Sequence, residues 1–362
     1  MSTTPSTPPT FRLGQRVHSA NDTRRIGTVK YVGPVQGYSG TWIGVDWDNG
    51  DGKHDGSVNR VRYFQARSER SGSFVRIQNL SPGISFLEAL HLRYKGQSTK
   101  EEEDEMYVLS ASNQRVSVEL VGKEKIEEKL GRIQELTSAS LAYLGVSNPG
   151  STNEISSLVP NLKELDLSGN LFSEWKDVGL ICDQLPALSA MNLSNNLMAQ
   201  DISGLPQLKN IQILVLNYTG VNWTQVEGLK HLLPVIEELH LMGNAISTIN
   251  SSSIVQGFDY LRLLNLEDNS LAEWSEILKL SFLRSLEQLH LNKNHFCHIF
   301  YPDNDTIRQL VSGSESLTET CMAFQSLRCL FLGSKQALSH PYTTLVHALH
   351  WRFLILHICF RR

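Results

Sequence analysis

The chain has 362 residues, 33 Lys and Arg against 37 Asp and Glu, and a formal net charge of −4. At about 150 residues per domain this length allows two or three domains, and a near-neutral chain excludes a nucleic-acid binder that works by neutralising phosphates. The five cysteines, Cys182, Cys297, Cys321, Cys329 and Cys359, form no CxxC pair, so they read as reduced thiols of a cytoplasmic protein.

Residues 1–10 have no basic start and no apolar run, and are expected to be a disordered leader with no secretory or transit function. The sequons Asn217-Tyr-Thr219 and Asn222-Trp-Thr224 then count as ordinary repeat residues. Residues 11–78 are rich in Gly, Val and aromatics in short alternating runs, the pattern of a small all-β module. Its informative strings are Gly27-Thr-Val-Lys-Tyr-Val-Gly33, Gly40-Thr-Trp-Ile-Gly-Val-Asp-Trp-Asp48, Gly52-Lys-His-Asp-Gly-Ser57, Tyr63-Phe64 and Gly72-Ser-Phe-Val75.

Over these blocks the module resembles the CAP-Gly domain, a glycine-rich SH3-like barrel. The resemblance implies a groove for acidic C-terminal tails ending in Glu-Glu-Tyr or Glu-Glu-Phe, as on α-tubulin. The residues suit that task. Glycines let backbone N–H groups approach a carboxylate, Lys53 supplies positive charge, and Trp42 and Phe74 offer apolar contact to the last aromatic ring. The expected tail-binding residues are therefore Trp42, Gly52, Lys53, His54, Asp55, Gly56, Ser57 and Phe74, whereas Gly27, Gly33 and Gly44 read as turn glycines of the barrel. Three positions depart from the family: His54 replaces Asn, Arg60 takes a later glycine position, and Gly37-Tyr38 stands where an aromatic precedes the G-x-W block. An imidazole still offers one hydrogen bond at position 54.

Residues 79–130, with the run Glu101-Glu-Glu-Asp-Glu105, are expected to be an acidic linker, with one strand near Val116-Ser-Val-Glu-Leu120. The charged stretch Gly122–Lys129 leads into the next domain.

From residue 131 to 338 the template L-x-x-L-x-L-x-x-N recurs. It appears as Leu162, Leu165, Leu167, Asn170; Leu188, Met191, Leu193, Asn196; and Ile211, Leu214, Leu216 with Thr219 in the Asn slot. Three further copies end at Asn244, Asn269 and Asn294, the spacings between last positions being 26, 23, 25, 25 and 25 residues. A weaker copy lies at Leu141, Leu144 and Val146; a seventh, at Leu327, Leu330 and Leu332, follows an insert placed near 301–320. Each short strand directs its leucines into a core shared with the next turn, because one turn cannot bury its own apolar face. The ladder residues Asn170, Asn196, Asn244, Asn269 and Asn294 are structural: they satisfy backbone groups where the chain bends, and losing one costs about 1–3 kcal/mol per orphaned group. Return segments such as Trp175–Leu185 are long enough for a convex helix. The fold class is thus a small all-β barrel followed by a right-handed α/β leucine-rich-repeat horseshoe.

The order of CAP-Gly module, acidic segment and repeats resembles the tubulin-folding cofactor E family, as do Asn170-Leu-Phe-Ser-Glu-Trp175, Asp183-Gln-Leu185 and Leu216-Asn-Tyr-Thr-Gly-Val-Asn-Trp223. That resemblance implies a cytoplasmic, cytoskeleton-associated, non-enzymatic chaperone. It would hold α-tubulin and work with cofactors B, C and D in assembling and dissociating the α/β heterodimer. A microtubule-associated adaptor that reads Glu-Glu-Tyr/Phe tails and a cytosolic repeat scaffold are the alternatives. The family ends in a ubiquitin-like domain, which is not found after Leu332, so the corresponding expectation is capture of α-tubulin without full dimer dissociation. Residues 339–362 instead form an apolar tail interrupted by His347, His350, Arg352 and His357; a bilayer helix needs about 20 apolar residues, so no membrane anchor is expected.

Other motifs fail on spacing. Asp46, Asp48, Asp51 and Asp55 fit no calcium-loop register, Gly52-Lys53 lacks the rest of a phosphate loop, and His295-Phe-Cys-His298 matches no four-ligand zinc pattern. No metal, cofactor or assembled catalytic constellation is expected.

Overall fold

A computed structural model describes residues 10–94, 107–109, 115–117, 133–249, 255, 257–297, 324–333 and 355–357. The leader, the insert near 301–320 and the Gly122–Lys129 stretch fall outside these residues, as does most of the tail.

The barrel is built from β1 (Arg16–Ser19), β2 (Asp22–Val35), β3 (Tyr38–Trp47), β4 (Ser57–Val58), β5 (Val61–Arg62), β6 (Gly72–Val75) and β7 (Leu80–Ser81). Its main sheet runs β6-β3-β2-β1-β7, and every pairing in it is antiparallel. Val17, Val29, Ile43, Val45, Trp47 and Leu80 share one buried core with Phe11. The small β4–β5 hairpin turns through Asn59 and Arg60, which both have positive φ, at 51° and 65°. Left-handed geometry at both central residues marks a type I′ turn, whose twist matches the strands it joins. The glycine position that Arg60 fills is therefore one where the backbone itself favours glycine.

The segment expected to be a linker from residue 79 is corrected at its start. β7 closes the barrel against β1, and after Pro82-Gly83 the chain enters β8 (Ile84–Ser85), which pairs in parallel with β12 (Val146–Asn148). The helix Phe86–Tyr94 follows. It begins at a capping box: Ser85 Oγ accepts the Glu88 N–H at 3.2 Å, and the Glu88 carboxylate accepts the Ser85 N–H at 2.7 Å. Phe86, Leu87, Ala89 and Leu90 are buried in the core of the repeats. Barrel and solenoid are thus joined by two residues, and the described chain up to Tyr94 already belongs to the solenoid. Of the expected strand at 116–120, β10 (Arg115–Ser117) covers the beginning, antiparallel to β9 (Tyr107–Leu109).

The solenoid sheet is parallel and nine-stranded: β11 (Ser138–Ser140), β13 (Glu164–Asp166), β14 (Ala190–Asn192), β15 (Ile213–Val215), β16 (Glu238–His240), β17 (Leu263–Asn265), β18 (Gln288–His290), β19 (Cys329–Phe331) and β20 (Ile355–His357). The middle leucine of each template stays in register, Leu165 beside Met191, then Leu214, Leu239, Leu264, Leu289 and Leu330. β20 pairs with β19, so part of the tail adds a strand beyond the last template copy. Helices Thr152–Leu158, Trp175–Asp183, Trp223–Leu229 and Trp274–Leu278 occupy some return segments; the return after Asn196 has none among the described residues.

The ladder makes repeated use of both ends of the amide. Asn170 Nδ2 donates to the carbonyls of Leu141 and Leu167 at 2.9 and 2.8 Å, while its Oδ1 accepts the Val146 N–H at 2.8 Å. Asn196, Asn244, Asn269 and Asn294 repeat the pattern. Thr219 has no amide, so its hydroxyl donates to Leu216 O at 2.9 Å and its main-chain carbonyl takes the Met198 N–H at 3.0 Å. Cys182 and Cys329 are free thiols, and burial pushes the Cys182 thiol up to about 12.

Candidate functional site

The outer face of the barrel sheet is set by strand alternation. Tyr31 lies opposite Gly44, Gly33 opposite Trp42, and Gly44 opposite Phe74, which places Tyr31, Trp42 and Phe74 on one side. A Cβ on Gly44 would meet the Phe64 ring at 2.5 Å, so this glycine makes room for an aromatic side chain. Phe74 consequently sits at the centre of an aromatic cluster. Its ring centroid is 5.9 Å from Tyr31, 5.4 Å from Tyr63, 5.5 Å from Phe64 and 5.1 Å from His54. Trp42 continues the surface: Arg76 lies 3.7 Å over its ring, Tyr38 meets it edge-on at 5.9 Å, and its indole Nε1 is buried without a partner.

The loop 52–57 borders this cluster. It is tied to β6 by Lys53 N–H to Gly72 O at 2.7 Å and by Gly72 N–H to His54 O at 2.8 Å. Cβ atoms on Gly52 and Gly56 would lie 2.3 Å from Ser71 C and 2.1 Å from Phe64 O, so both glycines close the loop onto its own neighbours. That is a packing role, distinct from the carboxylate approach expected of them. Inside the loop two side chains cap backbone groups two residues ahead. His54 Nδ1 accepts the Gly56 N–H at 3.0 Å, and Asp55 Oδ1 accepts the Ser57 N–H at 3.0 Å. His54 thus supplies the local acceptor that an asparagine side chain offers at the same place.

Electrostatics separate the loop's charged groups. The Ser57 backbone N–H, joined by the Ser57 hydroxyl and Arg62, holds the Asp55 carboxyl below its ordinary range, and Arg62 Nη2 pairs with Asp55 Oδ2 at 2.6 Å. Burial lowers the His54 pKa, opposed by the Asp55 charge and reinforced by Lys53. The exposed Lys53 ammonium makes no ion pair among the described residues. The structure therefore places Lys53, His54, Asp55, Ser57 and Phe74 together, with Trp42 along the same face. Tyr31, Tyr63, Phe64 and Arg76 join them without having been expected among the tail-binding residues. The period-2 pairing of residues 31, 33, 42 and 44 is the signal that could have found Tyr31.

Residues 13–80 match the family model of the CAP-Gly domain. Over 327 residues the chain is 62% identical to tubulin-folding cofactor E of Arabidopsis thaliana, a match covering 90% of this chain and 60% of that one. The chain is a relative of tubulin-folding cofactor E. With the tubulin-specific chaperone E of Xenopus laevis this cofactor E relative shares 32% identity over 347 residues, covering 91% of this chain and 65% of the other. It spans about three fifths of the length of these curated relatives. An internalin from Listeria monocytogenes is similar in structure at a TM-score of 0.43 and 18% identity, over 76% of this chain and 62% of that one. Among the described residues no group of three or more His, Cys, Asp or Glu is placed to hold a metal ion, and no helix is long and apolar enough to cross a membrane.

Proposed function

We propose that the protein is a tubulin-binding chaperone whose barrel captures the acidic C-terminal tail of α-tubulin. The observation that carries this reading is the exposed Lys53, without an ion pair among the described residues, at the edge of the Phe74 aromatic cluster. A peptide ending in Glu-Glu-Tyr would set its aromatic ring against Phe74, with Trp42 beside it, and its carboxylates toward Lys53. His54, Asp55 and Ser57 hold the loop in shape, and Gly52 and Gly56 let it close. The repeats grip the folded body of the same client, so that two modest contacts act as one strong one. In this reading the protein is a cytoplasmic, cytoskeleton-associated binding protein, not an enzyme. It works with cofactors B, C and D in assembly and dissociation of the α/β heterodimer.

The test is calorimetric. Lys53→Ala is expected to weaken binding of a peptide ending in Glu-Glu-Tyr by about three- to tenfold, the worth of one charge-assisted contact at a partly exposed site. Unchanged affinity would move the site elsewhere. Mixing the chain with tubulin dimers distinguishes the alternatives: captured α-tubulin supports the chaperone, binding to polymer alone the adaptor, and no binding the scaffold.

A further inference from the structure

A second feature lies outside the tail groove, where the barrel meets the solenoid. The two domains are held close by structure at their joint. A Cβ on Gly83 would lie 2.4 Å from Gly145 O, and one on Gly145 would lie 2.6 Å from the His18 ring of β1. Arg24 of β2 sits 4.6 Å above the ring of Tyr143, in the first solenoid turn, a cation–π contact that fastens the second wall to the first. Between the walls is a cleft of about 380 Å³.

The solenoid wall is paved by a repeated device. The residue just before each ladder position has positive φ, and at two of these positions, ahead of Leu144 and of Thr219, it is a tyrosine: Tyr143 at 57° and Tyr218 at 56°. Each ring lies over the glycine of the following turn, Gly169 and Gly243, where a Cβ would be 2.1 and 2.0 Å away. The hydroxyls are spent within the same wall, Tyr143 accepting from Asn195 Nδ2 at 3.4 Å and Tyr218 donating to Asp268 Oδ2 at 3.1 Å. What faces the cleft is therefore ring surface. The barrel wall supplies charge. Arg24 and Arg67 are exposed, and the carboxylate among the cleft's described lining residues, Asp48, is held by the buried Arg16 through both of its oxygens and lies 3.6 Å from Arg67 Nη2. Three guanidinium groups thus meet one carboxylate and leave a net positive charge, with the exposed amides of Asn49 and Asn195 beside them.

From this geometry we infer that the cleft binds an acidic segment on the folded body of the client, separately from the tail groove. Guanidinium groups and amides suit carboxylates, and tyrosine faces accept the intervening apolar side chains. This inference rests on the tubulin-binding reading and specifies where the body contact is made. Because both walls belong to one joint, a client bound there is held by barrel and solenoid together.

The experiment compares two probes on the full chain: a peptide ending in Glu-Glu-Tyr, and tubulin whose C-terminal tails have been removed by limited proteolysis. Arg24→Ser with Arg67→Ser is expected to weaken binding of tail-less tubulin about tenfold and to leave peptide binding unchanged, with Lys53→Ala giving the opposite pattern. Leu197→Glu, at an exposed position on the solenoid rim of the cleft, repeats the test without touching the barrel and is expected to give the same selective loss. Tail-less tubulin that binds both cleft variants as it binds the native chain, or that fails to bind the native chain while the peptide does bind, would overturn the inference. Failure of both probes on the native chain would instead sink the tubulin-binding reading beneath it.

Discussion

His54 shows how a single side chain can replace another without changing its local task. Its Nδ1 accepts the Gly56 N–H only while that nitrogen is unprotonated, and burial lowers its pKa below the ordinary 6.5. A lowered pKa in the folded state means that the neutral form is favoured by folding. The stability it contributes is complete above about 6.5 and drains away as the pH falls from there through the lowered value. Protonation would also turn the acceptor into a donor facing a donor. Affinity for the tail peptide and the unfolding midpoint of the barrel are expected to fall together as the pH drops below about 6.5, and His54→Asn, which keeps an acceptor and cannot titrate, should flatten that fall. At Arg60 the prediction is one of stability. Glycine at this left-handed turn position removes Cβ strain, so Arg60→Gly should raise barrel stability by about 0.5–1 kcal/mol in urea unfolding.

Among elements, the repeats were the most legible. One template fixes which leucine points inward and which asparagine bonds the backbone, so Leu165 to Leu330 and the ladder could be placed from spacing alone. Less legible was the left-handed residue just ahead of each ladder position. Its occupants Tyr143, Gly169, Asn195, Tyr218, Gly243, Asp268 and Lys293 share no side-chain chemistry, only a backbone angle. The pairing of each tyrosine with the next turn's glycine depends on contacts between turns. Gly243→Ala should therefore cost about 1–3 kcal/mol, from a left-handed alanine and a displaced Tyr218 ring. Adding Tyr218→Ala in a double-mutant cycle is expected to recover the steric share and leave the backbone share; strict additivity of the two changes would refute the contact. The tail groove was half legible. Lys53 and Phe74 stood out as a charge and an aromatic within glycine-rich strings, but the cluster around Phe74 draws on β2, β6 and the segments at His54 and Tyr63-Phe64, and no local window contains it.

At the scale of the molecule, the joint between domains was the part least visible in sequence. The pairings that make it, β1 with β7 and β8 with β12, link segments about 60 residues apart, and the apolar residues Phe86, Leu87, Ala89 and Leu90 stand in a short stretch just ahead of the acidic run. The capping box Ser85-Phe-Leu-Glu88 was the one local signal that a helix starts there. With that helix counted in, the buried apolar residues described between Phe86 and Leu332 form one cluster.

This arrangement gives the polypeptide a property that a linker between domains would deny it. Because the described segments on either side of the acidic run, Phe86–Tyr94 and the chain from Ile133, both pack into the repeat core, cutting between them is expected to leave the barrel attached to the repeats. A specific protease site engineered beside Glu101 should yield two pieces that behave as a split protein. The N-terminal piece would carry the barrel together with Phe86, Leu87, Ala89 and Leu90, whose burial in the other piece's core is worth about 1.5–3 kcal/mol for each large side chain. The halves should coelute on gel filtration after cleavage and separate only in denaturant. Leu90→Asp, which puts a charge into that seam, should make them come apart once cut.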